Sequence, residues 1–177
     1  MKNSILSLFA VAGIVAAAPV AQAQGYNPFE IGASGGIAFP TGDLGDVAGT
    51  GYNIGVHVGY KSQFMPIGVR GEAAWNQFGL DAGGNANIPA FTGNLTYGLP
   101  LGTGLSPYLI GGVGLYRPEV EFNGATSNAE NRFGWNVGGG IKIPLSGFET
   151  FIEARYHSVS TNGRTLSFVP LTVGITF

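Results

Sequence analysis

The sequence predicts an all-β chain, an eight-stranded antiparallel up-and-down transmembrane β-barrel. Three observations predict it. From Phe29 onward, apolar and polar residues alternate with a period of two. The polar parity is dominated by glycine rather than by Lys, Glu and Thr. Aromatic residues gather near the ends of the alternating segments, on the apolar parity. Successive side chains of a strand point to opposite faces, so a period of two gives each segment one apolar and one polar face.

The segments follow in order. In the first, Phe29, Ile31, Ala33, Ile37 and Phe39 oppose Glu30, Gly32, Ser34 and Gly36. The second sets Tyr52, Ile54, Val56, Val58 and Tyr60 against Asn53, Gly55, His57, Gly59 and Lys61. The third sets Ile67, Val69, Ala73 and Trp75 against Gly68, Arg70, Glu72 and Asn76. Phe91, Leu95 and Tyr97 then oppose Thr92, Asn94, Thr96 and Gly98. In the fifth, Leu109, Val113 and Leu115 oppose Tyr108, Gly112, Gly114 and Tyr116. The sixth has Phe133, Trp135, Val137, Ile141 and Ile143 against Arg132, Asn136, Gly138, Gly140 and Lys142. Ile152, Ala154 and Tyr156 oppose Glu153, Arg155 and His157 in the seventh. Leu171, Val173, Ile175 and Phe177 oppose Thr172, Gly174 and Thr176 in the last. Segments of about ten residues suit strands that cross a bilayer at a tilt.

The connections alternate as well. Long polar links are expected near 40–50, 77–89, 117–131 and 158–166. Shorter ones near 61–66, 99–106 and 144–149 carry Pro66, Pro100 and Pro144. Membrane barrels have short periplasmic turns and longer extracellular loops, which orients the chain.

A soluble barrel would share the period but turn its apolar face inward. Composition argues for lipid outside. Charged residues are 10% of the 177, against about 25% in soluble domains. The apolar parity carries no charge within any segment. The chain contains 31 glycines, which suit a narrow lumen that has room for only a few large side chains. A net charge of −2 gives no basic field for nucleic acid, and the absence of cysteine rules out disulfides.

Residues 1–23 read as a secretory signal peptide. Lys2 is the basic start, Ile5 to Ala18 the apolar stretch, and Ala21-Gln22-Ala23 the small-x-small cleavage site before Gln24. The apolar stretch is short of the roughly 20 residues that a membrane helix needs. Residues 24–177 are then the barrel domain, located in a bacterial outer membrane.

The runs Pro107-Tyr108-Leu109-Ile110-Gly111-Gly112-Val113-Gly114-Leu115-Tyr116, Phe133-Gly134-Trp135-Asn136-Val137-Gly138-Gly139-Gly140 and Pro170-Leu171-Thr172-Val173-Gly174-Ile175-Thr176-Phe177 resemble the small outer-membrane β-barrel family, the OmpA/OmpX-like "porin family" barrels. The resemblance covers roughly residues 25–177. It implies that Leu171, Val173, Ile175 and Phe177 form a C-terminal insertion signal. It also implies the barrel-assembly machinery as a partner.

The polar parity carries the candidate chemistry. Glu30, Lys61, Arg70, Glu72, Arg132, Lys142, Glu153, Arg155 and His157 form the expected lumen charge network. Acids and bases from opposite walls of a narrow barrel can pair, and buried charges must. Three functional readings follow. The first is a structural or surface-interaction protein, with loop three (Glu119, Glu121, Asn123, Asn128, Glu130, Asn131) as its most polar loop. The second is a narrow pore for ions or small solutes, since lumen charges tune selectivity. The third is a lipid A-modifying enzyme using His157 with Ser158 or Ser160. Parity weighs against that pair, because a base and its nucleophile must share a face. No cofactor or metal site is expected. Outer-membrane lipid and lipopolysaccharide are the expected surroundings of a monomer.

Overall fold

The computed structural model describes residues 28–100, 104–122, 125, 126, 130–161, 163 and 165–177. The signal-peptide reading of residues 1–23 lies outside the described residues. The strands are β1 Phe29–Thr41, β2 Gly51–Lys61, β3 Ile67–Gly79, β4 Asn85–Gly98, β5 Ser106–Tyr116, β6 Glu119–Phe122, β7 Ala125–Thr126, β8 Arg132–Leu145, β9 Phe148–Ser160 and β10 Thr165–Thr176.

Eight of these close a barrel in the order β1-β2-β3-β4-β5-β8-β9-β10, every neighbour antiparallel. The seam between first and last strands runs from Gly32 opposite Thr176 to Thr41 opposite Ser167. Closure leaves no edge in the wall, which hydrocarbon requires because it offers no partner for a free N–H or C=O.

The wall turns its apolar parity outward. Ile54, Val58, Leu95, Val113, Val137, Ile152 and Val173 are all exposed, while Asn53, Asn94, Asn136, Glu153 and Thr172 are buried. A soluble barrel would show the reverse.

The links expected near 77–89 and 158–166 are shorter than the sequence suggested, β9 running to Ser160 and β10 starting at Thr165. β3 runs to Gly79 and β4 starts at Asn85, so most of 77–89 is strand. Gly83 and Gly84, both at positive φ, close this hairpin. The third link contains the small β6–β7 hairpin, and β6 pairs Glu119 and Glu121 with Asn87 and Asn85 of β4. The result is a four-stranded blade, β3-β4-β6-β7.

The reason is a reversal of polarity along the strands. On β3 the outward series Ile67, Val69, Ala73, Trp75 gives way to Gln77, while Phe78 is buried inside. On β4, Asn85 and Asn87 take the outward parity and Ala86, Ile88 and Ala90 the inward one. On β9, outward Ile152, Ala154 and Tyr156 are followed by Ser158 and Ser160, with Val159 buried within. On β10, Ser167 follows the outward parity and Phe168 the inward. Where the wall leaves lipid for water, apolar groups must move inside. The reversal therefore marks the outer membrane boundary, just beyond Phe39, Trp75, Phe133 and Tyr156.

Candidate functional site

The lumen is the polar centre of the molecule, and it is built in layers. At mid-height, β3 supplies Arg70 and Glu72, and β9 supplies Glu153 and Arg155. Arg70 Nη1 donates to Glu153 Oε2 at 2.8 Å, and Arg155 Nε to Glu153 Oε1 at 2.7 Å. Arg155 Nη2 pairs with Glu72, whose other oxygen lies 3.9 Å from Arg70. Each carboxylate thus faces both guanidiniums, and the ring carries no net charge. All four side chains are at most 8% exposed. Isolated charges at that burial would be prohibitive, whereas alternation offsets the lost hydration. Tyr108 adds a hydroxyl that donates to Glu153 at 2.6 Å, and the Arg70 guanidinium lies over the Tyr108 and Phe151 rings.

Toward the periplasmic end, Lys142 Nζ donates to Glu30 at 2.7 Å and approaches Glu149 at 3.3 Å. His57 meets the Thr176 hydroxyl at 3.2 Å. A cavity of about 220 Å³ opens here, with Glu30, Lys61, Arg70, Tyr108 and Lys142 among its lining residues.

Above the ionic ring, neutral hydrogen bonds take over. Asn53 donates to Asn76 at 2.6 Å and Asn136 to Asn94 at 2.9 Å. His157 contacts the Tyr116 hydroxyl at 2.8 Å and stacks on Phe168 with ring centres 4.9 Å apart. Higher still lies an apolar plug of Ala38, Phe78, Ala86, Ile88, Ala90, Tyr116, Val159 and Phe168, covered by Leu44 and Ala48 from the first loop. Leu44 belongs to a single 3-10 turn, Gly42–Leu44.

Glycine makes this filling possible. Four large lumen side chains lie directly opposite a glycine of a neighbouring strand. Tyr108 is directly opposite Gly140, Phe151 opposite Gly174, His57 opposite Gly32 and Arg155 opposite Gly138. A Cβ on Gly140 would come within 2.7 Å of the Tyr108 hydroxyl, and one on Gly134 within 2.7 Å of the Tyr116 ring.

The structure therefore brings together Arg70, Glu72, Glu153 and Arg155, and separately Glu30 with Lys142. Arg132 stands apart at the outer rim, 2.5 Å from Glu130. Lys61 is exposed at the periplasmic mouth. His157 joins the aromatic layer and not the ionic ring. It does not meet the serines either, because Ser158 and Ser160 take the outward parity. Leu171, Val173, Ile175 and Phe177 form an exposed outward row on the last strand. Sequence reasoning missed the inward-facing Phe78, Phe151 and Phe168. Phe151 and Phe168 are each followed by another apolar residue, so local alternation did not assign them a side.

The sequence matches the family described as "Outer membrane protein beta-barrel domain" over residues 7–177. No curated protein matches it. Among solved structures, the fold is similar to Neisserial surface protein A, with a TM-score of 0.69 at 16% identity over 86% of this chain and 97% of that one. It is also similar to Ail, the attachment invasion locus protein of Yersinia pestis, in complex with the heparin analogue sucrose octasulfate (TM-score 0.52, 15% identity, 85% and 100% covered). The outer-membrane enzyme PagL is a third (TM-score 0.51, 12% identity, 84% and 98% covered). Identities this low reflect a shared fold. The family match over nearly the whole chain agrees with a closed eight-strand wall that is apolar outside, and the protein belongs to the outer membrane protein β-barrel domain family, as an integral protein of a bacterial outer membrane.

Proposed function

We propose that this barrel is a sealed anchor that holds an acidic platform outside the cell, serving a structural and surface-interaction role. The observation that carries the reading is double closure of the lumen: an ionic ring spans it, and an apolar plug lies above. A filled lumen leaves the extracellular blade and loops as the working surface, and loops on rigid scaffolds commonly carry binding.

The chemistry of that surface narrows its partners. Asp43, Asp46, Asp81 and Glu121 are exposed at the outer end, and Glu119 and Glu130 are paired with Arg117 and Arg132. Exposed Val47, Val120 and Phe122 stand among them. Such a surface favours cationic or amphipathic partners and repels polyanions. The sulfated ligand of Ail is therefore not carried over.

Catalysis is left out of this reading because the wall separates His157 from the serines. The last strand, with Leu171, Val173, Ile175 and Phe177, serves as the insertion signal read by the assembly machinery. A cleaved leader at residues 1–23 delivers the chain to it, and the mature barrel is a monomer.

The test uses full-length protein in phosphatidylcholine nanodiscs, immobilised for surface plasmon resonance. Poly-lysine is expected to bind and to be displaced by salt, while heparin does not bind. Heparin binding, or poly-lysine binding unchanged by D43N/D46N/E121Q, contradicts the reading.

A further inference from the structure

Among the described residues, four buried side-chain atoms have no hydrogen-bond partner, and three of them belong to one patch of the lumen: Asn136 Oδ1, Arg155 Nη1 and His157 Nε2. Asn136 on β8 is the cross-strand partner of His157 on β9. Gly138, the next inward position on β8, is the partner of Arg155. The four positions form a small rectangle on the inner wall, with a side chain at three corners and glycine at the fourth. The rectangle lies where the ionic ring gives way to the neutral layer above it. All three side-chain residues are at most 5% exposed, so bulk solvent does not serve them.

Each of the three is held by bonds it already makes. Asn94 gives its amide nitrogen to Thr92 at 3.0 Å and to the Arg70 carbonyl at 3.4 Å, so its oxygen is the acceptor for Asn136 Nδ2 at 2.9 Å. That fixes the Asn136 amide and leaves Oδ1 as the orphan acceptor. Arg155 is tied at Nε to Glu153 and at Nη2 to Glu72, which leaves Nη1 as the orphan donor. His157 is tied at Nδ1 to Tyr116 and stacked on Phe168. None of them can turn toward another without breaking one of these contacts. We propose that the patch is a binding site for a single internal water molecule, which ties the ionic ring to the hydrogen-bonded layer above.

The donor and acceptor set selects that ligand. Arg155 Nη1 can only donate and Asn136 Oδ1 can only accept, so the occupant must accept from one and donate to the other. A halide has no proton for Asn136, and a metal ion or ammonium has no lone pair for Arg155. Water has two of each. If Tyr116 donates to His157 Nδ1, then Nε2 carries the proton and donates to the water; in the other tautomer Nε2 accepts from it. Water suits both. Three polar partners are the usual complement of a buried water, about three hydrogen bonds each. The bridge makes Glu153, Arg155, His157 and Tyr116 one hydrogen-bonded column up the lumen.

The experiment is proton-detected solid-state NMR of the full chain refolded in lipid bilayers, with the water of the sample as the probe. A cross peak is expected between the Arg155 Nη1 protons and a water resonance, and a second from that resonance to the proton on His157 Cε1. In His157→Phe, which keeps a ring on Phe168 but loses one hydrogen bond to the water, exchange of that water with the bulk is expected to quicken by roughly fivefold. Heat-modifiable migration on gels checks that the variant is folded, and the wild-type spectrum decides alone if it is not. Three results overturn the assignment: Arg155 Nη1 protons that correlate only with protein protons, an Arg155 signal that shifts when chloride is exchanged for sulfate, or water exchange unchanged in folded His157→Phe.

Discussion

Arg70 on β3 and Glu153 on β9 meet at 2.8 Å across the full width of the barrel, although 83 residues separate them in sequence. The two strands are four places apart in a ring of eight, so they face each other directly. The pair, with Glu72 and Arg155 beside it, works as a strut between opposite walls.

Removing one member of the strut leaves charges buried without a counterpart. Glu153→Ala leaves Glu72 as the single carboxylate of the ring for two buried arginines and is expected to destabilise the barrel by about 3–5 kcal/mol. Urea titration of refolded protein in lipid vesicles measures this. The combined Arg70→Met/Glu153→Leu variant is expected to lose less than Glu153→Ala alone, because a lone buried charge costs more than an apolar replacement of the pair. A double variant weaker than the single one would contradict the strut.

The lumen is expected to be silent in planar bilayers. Protein at single-channel dilution should give no conductance steps, and Glu72→Ala and Arg155→Ala should not open it, because Phe78, Ile88, Tyr116 and Phe168 close the path above. Well-resolved steps in either variant would restore the pore reading.

Glycine opposite a large side chain is expected to be intolerant. Gly140→Val places a branched side chain against the Tyr108 ring and within 2.6 Å of the Ile152 carbonyl, and folding yield should collapse. Adding Tyr108→Ala should recover part of that yield, since only the ring is removed. Heat-modifiable migration on gels reads the folded fraction.

The polarity reversal fixes a membrane boundary that labelling can locate. Asn85→Cys and Ser160→Cys should react with a membrane-impermeant maleimide on intact cells, while Leu171→Cys should not. Leu171→Arg is expected to cost about 2–4 kcal/mol at mid-bilayer and Asn85→Arg about 0–1. Equal costs at the two positions would move the boundary.

Much of this protein is legible locally. Period-two alternation assigned Arg70, Glu153 and Val173 their sides of the wall, because side-chain direction in a strand depends only on parity. Glycine on the inward parity signalled a crowded lumen for the same local reason. The links were less legible. The stretch 77–89 was expected to be loop because it is rich in Gly, Asn and Asp, whereas the strands continue into water and exchange their faces, with Asn85 and Asn87 on the outward parity.

What the sequence by itself determined was the period, the closed barrel it demands in lipid, and which residues look inward. Tertiary structure alone decided which inward residues meet. The stagger of the closed sheet set Arg70 level with Glu153, paired Lys142 with Glu30, left Arg132 at the rim and gave His157 to Phe168 and Tyr116. Parity is a property of neighbouring residues, whereas height across a barrel depends on strand tilt and shear accumulated around the whole ring.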